Sequence, residues 1–212
     1  RKFWKRIMKN NLVLNSIIQK NLPGEYCFIC GGKAHHSHNT AGEIFICDVD
    51  ATHQSPRAYI IDKKTKYSVE ADELIHETVG SIIVKQQGNE KYFLLFLRRK
   101  FPFLYTIPAG HVETHETPEE NIKREIIEET ALKITRLKKL WPQENFRLYD
   151  PCRRGADHHD WHIYEAMSEG QPSLSSEGRI IGWYTEEEIK VMIENSLLTI
   201  PSAFFLEKYW EA

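Results

Sequence analysis

The chain reads as an α/β protein preceded by a small metal-stapled segment and a basic helix. Three observations carry this. From about residue 74, short apolar runs suited to strands alternate with helix starts of capping-box type. Before that, residues 24–56 hold three of the four cysteines together with His35, His36, His38 and His53, and show little hydrophobic periodicity. Such a segment is expected to lack a core of its own and to need another staple. The first 23 residues form an amphipathic stretch closed by Pro23-Gly24. The expected division is 1–23, 24–73 and 74–212.

Taking the elements in order, Arg1–Gly24 carries six positive charges and no negative ones. An acid-free basic start suits a transit peptide or contact with a polyanion or anionic lipid. The plainer reading is a short helix with Phe3, Ile7, Leu14, Ile17 and Ile18 turned inward. Further on, Thr78–Lys85 and Tyr92–Arg98 are strand candidates around the turn Gln86-Gln87-Gly88-Asn89. Phe93-Leu94-Leu95-Phe96-Leu97 is apolar at every position, so this strand is expected to be covered on both faces. Thr117-Pro118-Glu119-Glu120 starts a helix running to about Leu132, with a Thr cap, Pro in the first turn and Glu three after the cap. His159–Met167 and Arg179–Tyr184 are further strands. Thr185-Glu186-Glu187-Glu188 caps a helix with Ile189, Met192 and Ile193 inward, and a last helix follows Pro201, with Phe204, Phe205, Tyr209 and Trp210 as core candidates.

Composition bounds the function. At 212 residues, 41% hydrophobic and 27% charged, the chain can bury a substantial core. No apolar run approaches the roughly 18–20 residues of a membrane-spanning helix. Four cysteines are too few for a disulfide scaffold of this length, so a reducing, cytoplasmic setting is expected. The net charge of −2 conceals a basic first third: residues 1–70 hold 11 Lys and Arg against 6 Asp and Glu.

The most informative residues lie on the helix after Pro118. Glu125, Glu128 and Glu129 stand at i, i+3 and i+4, on one helical face. Each like-charge pair costs roughly 0.2–0.5 kcal/mol in an isolated helix. A hard divalent cation reverses that sign. Arg124, four residues before Glu128, is placed to pair with it. From Gly110 the chain runs five residues to Glu116, then seven to Arg124-Glu125-Ile126-Ile127-Glu128-Glu129, with Leu132 closing the pattern. This resembles the Nudix box, G-x5-E-x7-R-E-U-x-E-E-x-G-U, with Ala131 where the pattern has its second Gly. Ala131 removes no carboxylate; it is expected to shift the helix end slightly.

The resemblance implies the Nudix fold, a mixed sheet sandwiched between helices, over about residues 75–200. It also implies that Glu125, Glu128 and Glu129 bind one to three Mg²⁺ or Mn²⁺ ions, with the carbonyl of Ala109 as a further ligand. Glu116 and Arg124 would orient the carboxylates. A further acid outside the box is expected among Glu165, Glu169 and Glu177. Glu177 is favoured, because its Glu-Gly pair with Trp183 beyond resembles a loop of nucleotide-sanitising Nudix members.

Cys27-Phe28-Ile29-Cys30-Gly31-Gly32 is a CxxC knuckle of zinc-binding type. Cys47 adds a third thiolate, and the fourth ligand is open among His53, Asp50, His35, His36 and His38, with His53 preferred. Cys152 is far off in sequence and reads as a bystander. A zinc module before a Nudix domain is similar to NADH pyrophosphatases, but Leu140-Trp141-Pro142-Gln143 is a poor match to that subfamily's stretch after the box, so the NADH assignment is declined and dinucleotides stay in view.

Weaker signals remain. Arg98-Arg99-Lys100, with Gly110, suits phosphate binding, as do Lys133, Arg136, Lys138 and Lys139. His158, Asp160 and His162 alternate on a strand whose other face holds Trp161 and Ile163, which favours a polar outer face. Trp141, Phe146 and Tyr149 suit base stacking or core. The expected activity is hydrolysis of a P–O–P bond in a nucleoside diphosphate linked to another moiety. The alternative is a nucleic-acid-binding or RNA-end-processing protein that uses the zinc module and the basic start. The expected partner is a nucleotide-derived small molecule, and a homodimer is kept open.

Overall fold

The computed structural model describes Leu14, Ile17 and residues 23–40, 42–71, 73–141, 146–176 and 178–212. Leu14 and Ile17 are helical and buried, as an inward face requires; the other residues of 1–22, and with them the rest of the expected basic helix, lie outside the described residues, as does Glu177.

The N-terminal third forms two small sheets. One pairs β1 (Gly24–Cys27) with β5 (Ala58–Ile61); the other orders β2 (Ala34–Asn39), β3 (Gly42–Cys47) and β4 (Gln54–Ser55). The expectation that this segment lacks a core needs correction. Cys27, Ala34, Phe45, Cys47 and Ala58 form a small buried cluster, with Ile29 and Ile60 against it. Two of these five are thiols, so the cluster is thin.

The large sheet is built around β7 (Glu73–Gln87), a fifteen-residue strand. Its first half pairs with β6 (Tyr67–Glu70), β10 (Ala109–His111) and, in parallel, β13 (His158–Glu169). Its second half pairs with β8 (Glu90–Arg98) through the tight turn at Gly88, whose φ of 62° suits a residue without Cβ. The edges are β11 (Lys133–Lys139) and β12 (Phe146–Tyr149) against β13, and β9 (Tyr105–Thr106) and β14 (Gly178–Thr185) against β8. Because β6 precedes residue 74 yet joins this sheet, the N-terminal segment hands its last strand to the larger body.

Both faces of the sheet are covered. Val79, Ile83, Leu94, Tyr164 and Ala166 pack with Ile122 and Ile126 of α1 (Pro118–Thr130). On the other face Ile82, Phe93, Leu95, Trp161 and Ile163 pack with Ile189 of α2 (Glu186–Glu194) and with Phe205 and Leu206 of α3 (Ile200–Glu211). This is the mixed sheet sandwiched between helices, and the unbroken apolar run of β8 is explained by it. Phe204 is the exception among the expected core residues of α3: it is 37% exposed, edge-on to Phe146.

Both capping boxes form. Thr117 and Glu120 bond reciprocally at the start of α1, and Thr185 and Glu188 do so at α2. The end of α1 is not shifted by Ala131. That residue adopts the left-handed conformation, φ 56° and ψ 15°, and donates its N–H to the Ile127 carbonyl, as a glycine would. The cost is the contact of its Cβ with the following carbonyl. Ala131→Gly is therefore expected to stabilise the protein by about 0.5–1 kcal/mol, net of the entropy a glycine adds to the unfolded chain. Urea midpoints check this; an unchanged or lower midpoint would show the cap to be unstrained.

Candidate active site and metal centres

The carboxylates of α1 converge because the helix is pinned at both ends and buried along Ile122 and Ile126. Arg124 is their hub. Its Nε and Nη2 donate to the two oxygens of Glu116 at 3.0 Å each, while Nη1 reaches Glu125 at 3.1 Å and Glu128 at 3.0 Å. Asn121 donates to Glu116 at 2.6 Å. The Arg124 guanidinium, with Asn121 assisting, holds the Glu116 carboxyl below the usual range against burial. Glu129 is 8% exposed, and its Oε2 accepts the Ala109 N–H at 3.0 Å. At Gly110 the Glu125 carboxylate approaches so closely that a Cβ there would displace it.

Glu125, Glu128, Glu129, Ala109 and Gly110 line a cleft of about 540 Å³, which Arg98 also lines. Arg98 Nη2 donates to the Phe101 carbonyl at 3.3 Å, and its buried Nε has no hydrogen-bond partner among the described residues. Arg99 instead donates to the Gly178 carbonyl at 2.6 Å and does not line the cleft. Of the downstream acids, Glu165 accepts the Tyr209 hydroxyl at 2.6 Å, and Glu169 sits at the end of β13 opposite Lys133. Ser175 and Ser176 line the cleft just before Glu177. Lys133, Arg136, Lys138 and Lys139 lie on the edge strand β11, outside it.

His158, Asp160 and His162 form a polar face, paired with Glu73, Arg147 and Glu77 respectively. Trp141 and Phe146 pack against Phe205, whereas Tyr149 is 57% exposed beside His158.

In the N-terminal module, Cys27, Cys30, Cys47 and His53 each bring one donor atom into a group spanning at most 4.8 Å. Cys30 and Cys47 sulfurs are 3.5 Å apart, and Cys27 Sγ is 3.9 Å from His53 Nδ1. The knuckle is closed by the Cys27 N–H on the Gly32 carbonyl at 2.7 Å, and Gly31 takes φ 75°. Asp50 stands behind His53, 3.4 Å from its Nε2. His35, His36 and His38 lie against Asp48, Glu25 and Glu43 instead. Burial pushes the Cys30 thiol up to about 11; at Cys47 the N–H groups of Asp50 and Val49 outweigh burial and lower it.

One group escaped the sequence reading. Cys152, taken as a bystander, lies with His76, His111 and His159 in a second cluster spanning at most 4.8 Å. Burial keeps all three imidazoles neutral, His159 being pushed down to about 3. Nothing in the residues flanking His76, His111 and His159 marks them as neighbours, and their distance along the chain hid the cluster.

The model of the NUDIX domain family matches residues 74–200. A MutT-like protein of Streptomyces ambofaciens is 27% identical over 117 residues, which cover 53% of this chain and 65% of that relative; the chain thus spans about two thirds of its length. Among solved structures, the NUDIX domain of Shewanella oneidensis NrtR complexed with ADP ribose is similar over 64% of this chain and 86% of its own, at 18% identity and TM-score 0.54. A C. elegans Ap4A hydrolase matches 64% of this chain and 96% of its own, at 18% identity and TM-score 0.51. A MutT NUDIX hydrolase from Burkholderia pseudomallei matches 63% and 96%, at 22% identity and TM-score 0.51.

Arg124→Leu leaves Glu116, Glu125 and Glu128 without their shared cation. It is expected to lower stability by about 2 kcal/mol in metal-free buffer, measured by chemical denaturation. A loss under about 0.5 kcal/mol would mean that water screens the group.

Proposed function

We propose that this chain, which belongs to the NUDIX domain family, is a metal-dependent pyrophosphohydrolase acting on a nucleoside diphosphate linked to another moiety. The observation that carries this reading is the convergence of Glu125, Glu128 and Glu129 in a cleft that Arg98 also lines. The ADP ribose bound to the Shewanella NUDIX domain, and the C. elegans Ap4A hydrolase, support the substrate class.

The donor set fits Mg²⁺ or Mn²⁺: three carboxylates on one helical face, one of them buried, with Ala109 alongside to offer its carbonyl. One to three such ions, when bound, neutralise the charge of the pyrophosphate and acidify the attacking water. The chain does the rest. Arg124 and Glu116 hold Glu125 and Glu128 in place, and the Ala109 N–H orients Glu129. Arg98 pairs with a phosphate oxygen. Gly110 lets Glu125 approach the strand, and Arg99 supports the start of β14 rather than touching substrate. Glu177 accepts the proton of the attacking water as general base; the two serines before it border the cleft.

Cys27, Cys30, Cys47 and His53 hold a structural zinc ion, a Cys₃His set closed to substrate. Thiolates of this kind persist in a reducing compartment such as the cytoplasm. Among the described residues, no helix is long and apolar enough to cross a membrane.

The deciding experiment is a Mg²⁺- and Mn²⁺-dependent phosphate-release screen over nucleotide sugars, dinucleotides, nucleoside triphosphates and capped RNA. Glu129→Gln and Glu177→Gln are each expected to lower turnover by roughly 10²–10⁴-fold with the fold intact. Turnover of either variant within about tenfold of wild type, a barrier change near 1.4 kcal/mol, would overturn the role of that residue. Removing the module's zinc by Cys47→Ser is expected to raise hydrogen exchange across residues 24–61 far more than across β7, β8 and β13, because the module's own core is thin. Equal loss of protection in both regions would count against a local staple.

A further inference from the structure

The floor of the cleft carries a second set of donors, unrelated to the carboxylate helix. His76 on β7 and His159 on β13 are direct register partners, and His111 on β10 lies opposite Thr78, two residues along β7. Strand alternation places all three imidazoles on the face that carries Ile82, Trp161 and Ile163, whereas Gly110, next to His111, faces α1. Cys152 is delivered by the loop 150–157, which is held in shape from outside. Arg57 donates to the Cys152 carbonyl at 2.8 Å and to the Ala156 carbonyl at 2.9 Å. The N–H groups of Ala58 and Ile60 on β5 bond the carbonyls of Arg153 and Arg154.

Two of the six distances between donor atoms match the edges of a coordination tetrahedron, and all four atoms lie within 4.8 Å of one another. His111 Nε2 and His159 Nε2 are 3.3 Å apart, and Cys152 Sγ is 3.6 Å from His76 Nδ1. A tetrahedral zinc with bonds of about 2.05 Å to nitrogen and 2.3 Å to sulfur has edges of roughly 3.3 Å between nitrogens and 3.6 Å between nitrogen and sulfur. The other ring nitrogen of His159 is buried, has no hydrogen-bond partner among the described residues, and points toward Asp150 Oδ2 at 3.9 Å. A carboxylate behind a ligating imidazole is the usual outer support of a metal site.

We propose that His76, His111, Cys152 and His159 form a second metal site, closed and tetrahedral, for a borderline divalent cation of the zinc class. Three imidazoles and a thiolate select such a cation and reject Mg²⁺, which takes oxygen donors. Four protein donors fill the coordination sphere, so the ion is structural. It ties three strands of the large sheet to the loop on which the N-terminal module rests, in the wall of the cleft. The site stands apart from the hydrolase reading, and its test reads metal rather than turnover.

Elemental analysis of the full chain, purified in chelator-treated buffer, is expected to give about two zinc ions per chain. Cys152→Ala and Cys47→Ser should each retain about one, and the double variant none. Near-ultraviolet circular dichroism verifies that each variant is folded. If Cys152→Ala does not fold, cobalt substitution of the wild type decides: two tetrahedral Co²⁺ centres with charge transfer from four thiolates in all support the site. A single centre with three thiolates overturns it. So does a folded wild type holding one zinc that is lost in Cys47→Ser, or a Cys152→Ala variant that still holds two; the four side chains would then be a hydrogen-bonded cluster only.

Discussion

Negative charge gathered at one point is the constraint around which the large domain is arranged. Glu116, Glu125 and Glu128 all bond to Arg124, and Glu129 is buried against the Ala109 N–H. In an isolated helix this arrangement would repel itself. It persists because α1 cannot turn or slide: Ile122 and Ile126 are sunk in the sheet, Thr117 and Glu120 lock the first turn, and Gly110 makes room for the Glu125 carboxylate. Packing supplies the rigidity and Arg124 supplies the charge balance, and neither would hold the carboxylates in place alone.

The strand β7 distributes that rigidity. Its even-numbered residues from His76 to Ile82 face the α2 and α3 side, whereas Val79 and Ile83 face α1. One strand therefore backs the carboxylate helix and the imidazole cluster at once. The cleft lies where these two systems meet, with hard oxygen donors at one side and nitrogen and sulfur donors at its floor. The two sets of donors reach the cavity from opposite faces of β10, because strand alternation sends neighbouring residues such as Gly110 and His111 to opposite sides.

The N-terminal module is held by other means. Its cluster around Cys27 and Cys47 is small, and its contact with the larger body is both polar and apolar: Arg57 on the 150–157 loop, the Arg154–Asp62 ion pair and the pairing of β6 with β7, together with Tyr26, Tyr59 and Ile61 buried against Leu74 and Ala156. Gly155, at φ 93°, lies so close to the Ala58 carbonyl that a side chain there would collide with it. A docking of this kind is specific in geometry and buries an apolar cluster besides.

Much of this was legible along the chain because it depends on local spacing. The three carboxylates, the two capping boxes, the doubly covered β8 and the Cys27–Cys30 knuckle all rest on residues within about one or two helical turns of each other, where covalent geometry fixes what faces what. Other features depend on pairing over long separations, and only the tertiary structure decided them. That His53 joins Cys27, Cys30 and Cys47, while His35, His36 and His38 lie against Asp48, Glu25 and Glu43, follows from how the small sheets fold. That Arg98 lines the cleft while Arg99 does not is set by how β8 meets β14. Cys152 and His76 stand 76 residues apart, and nothing in their flanking residues marks them as neighbours. Sequence by itself determined the elements and the chemistry of the box, since those follow from local periodicity. The register of β7 with β10 and β13 decided which distant histidines would meet, because a shift of one residue would send every one of them to the other face.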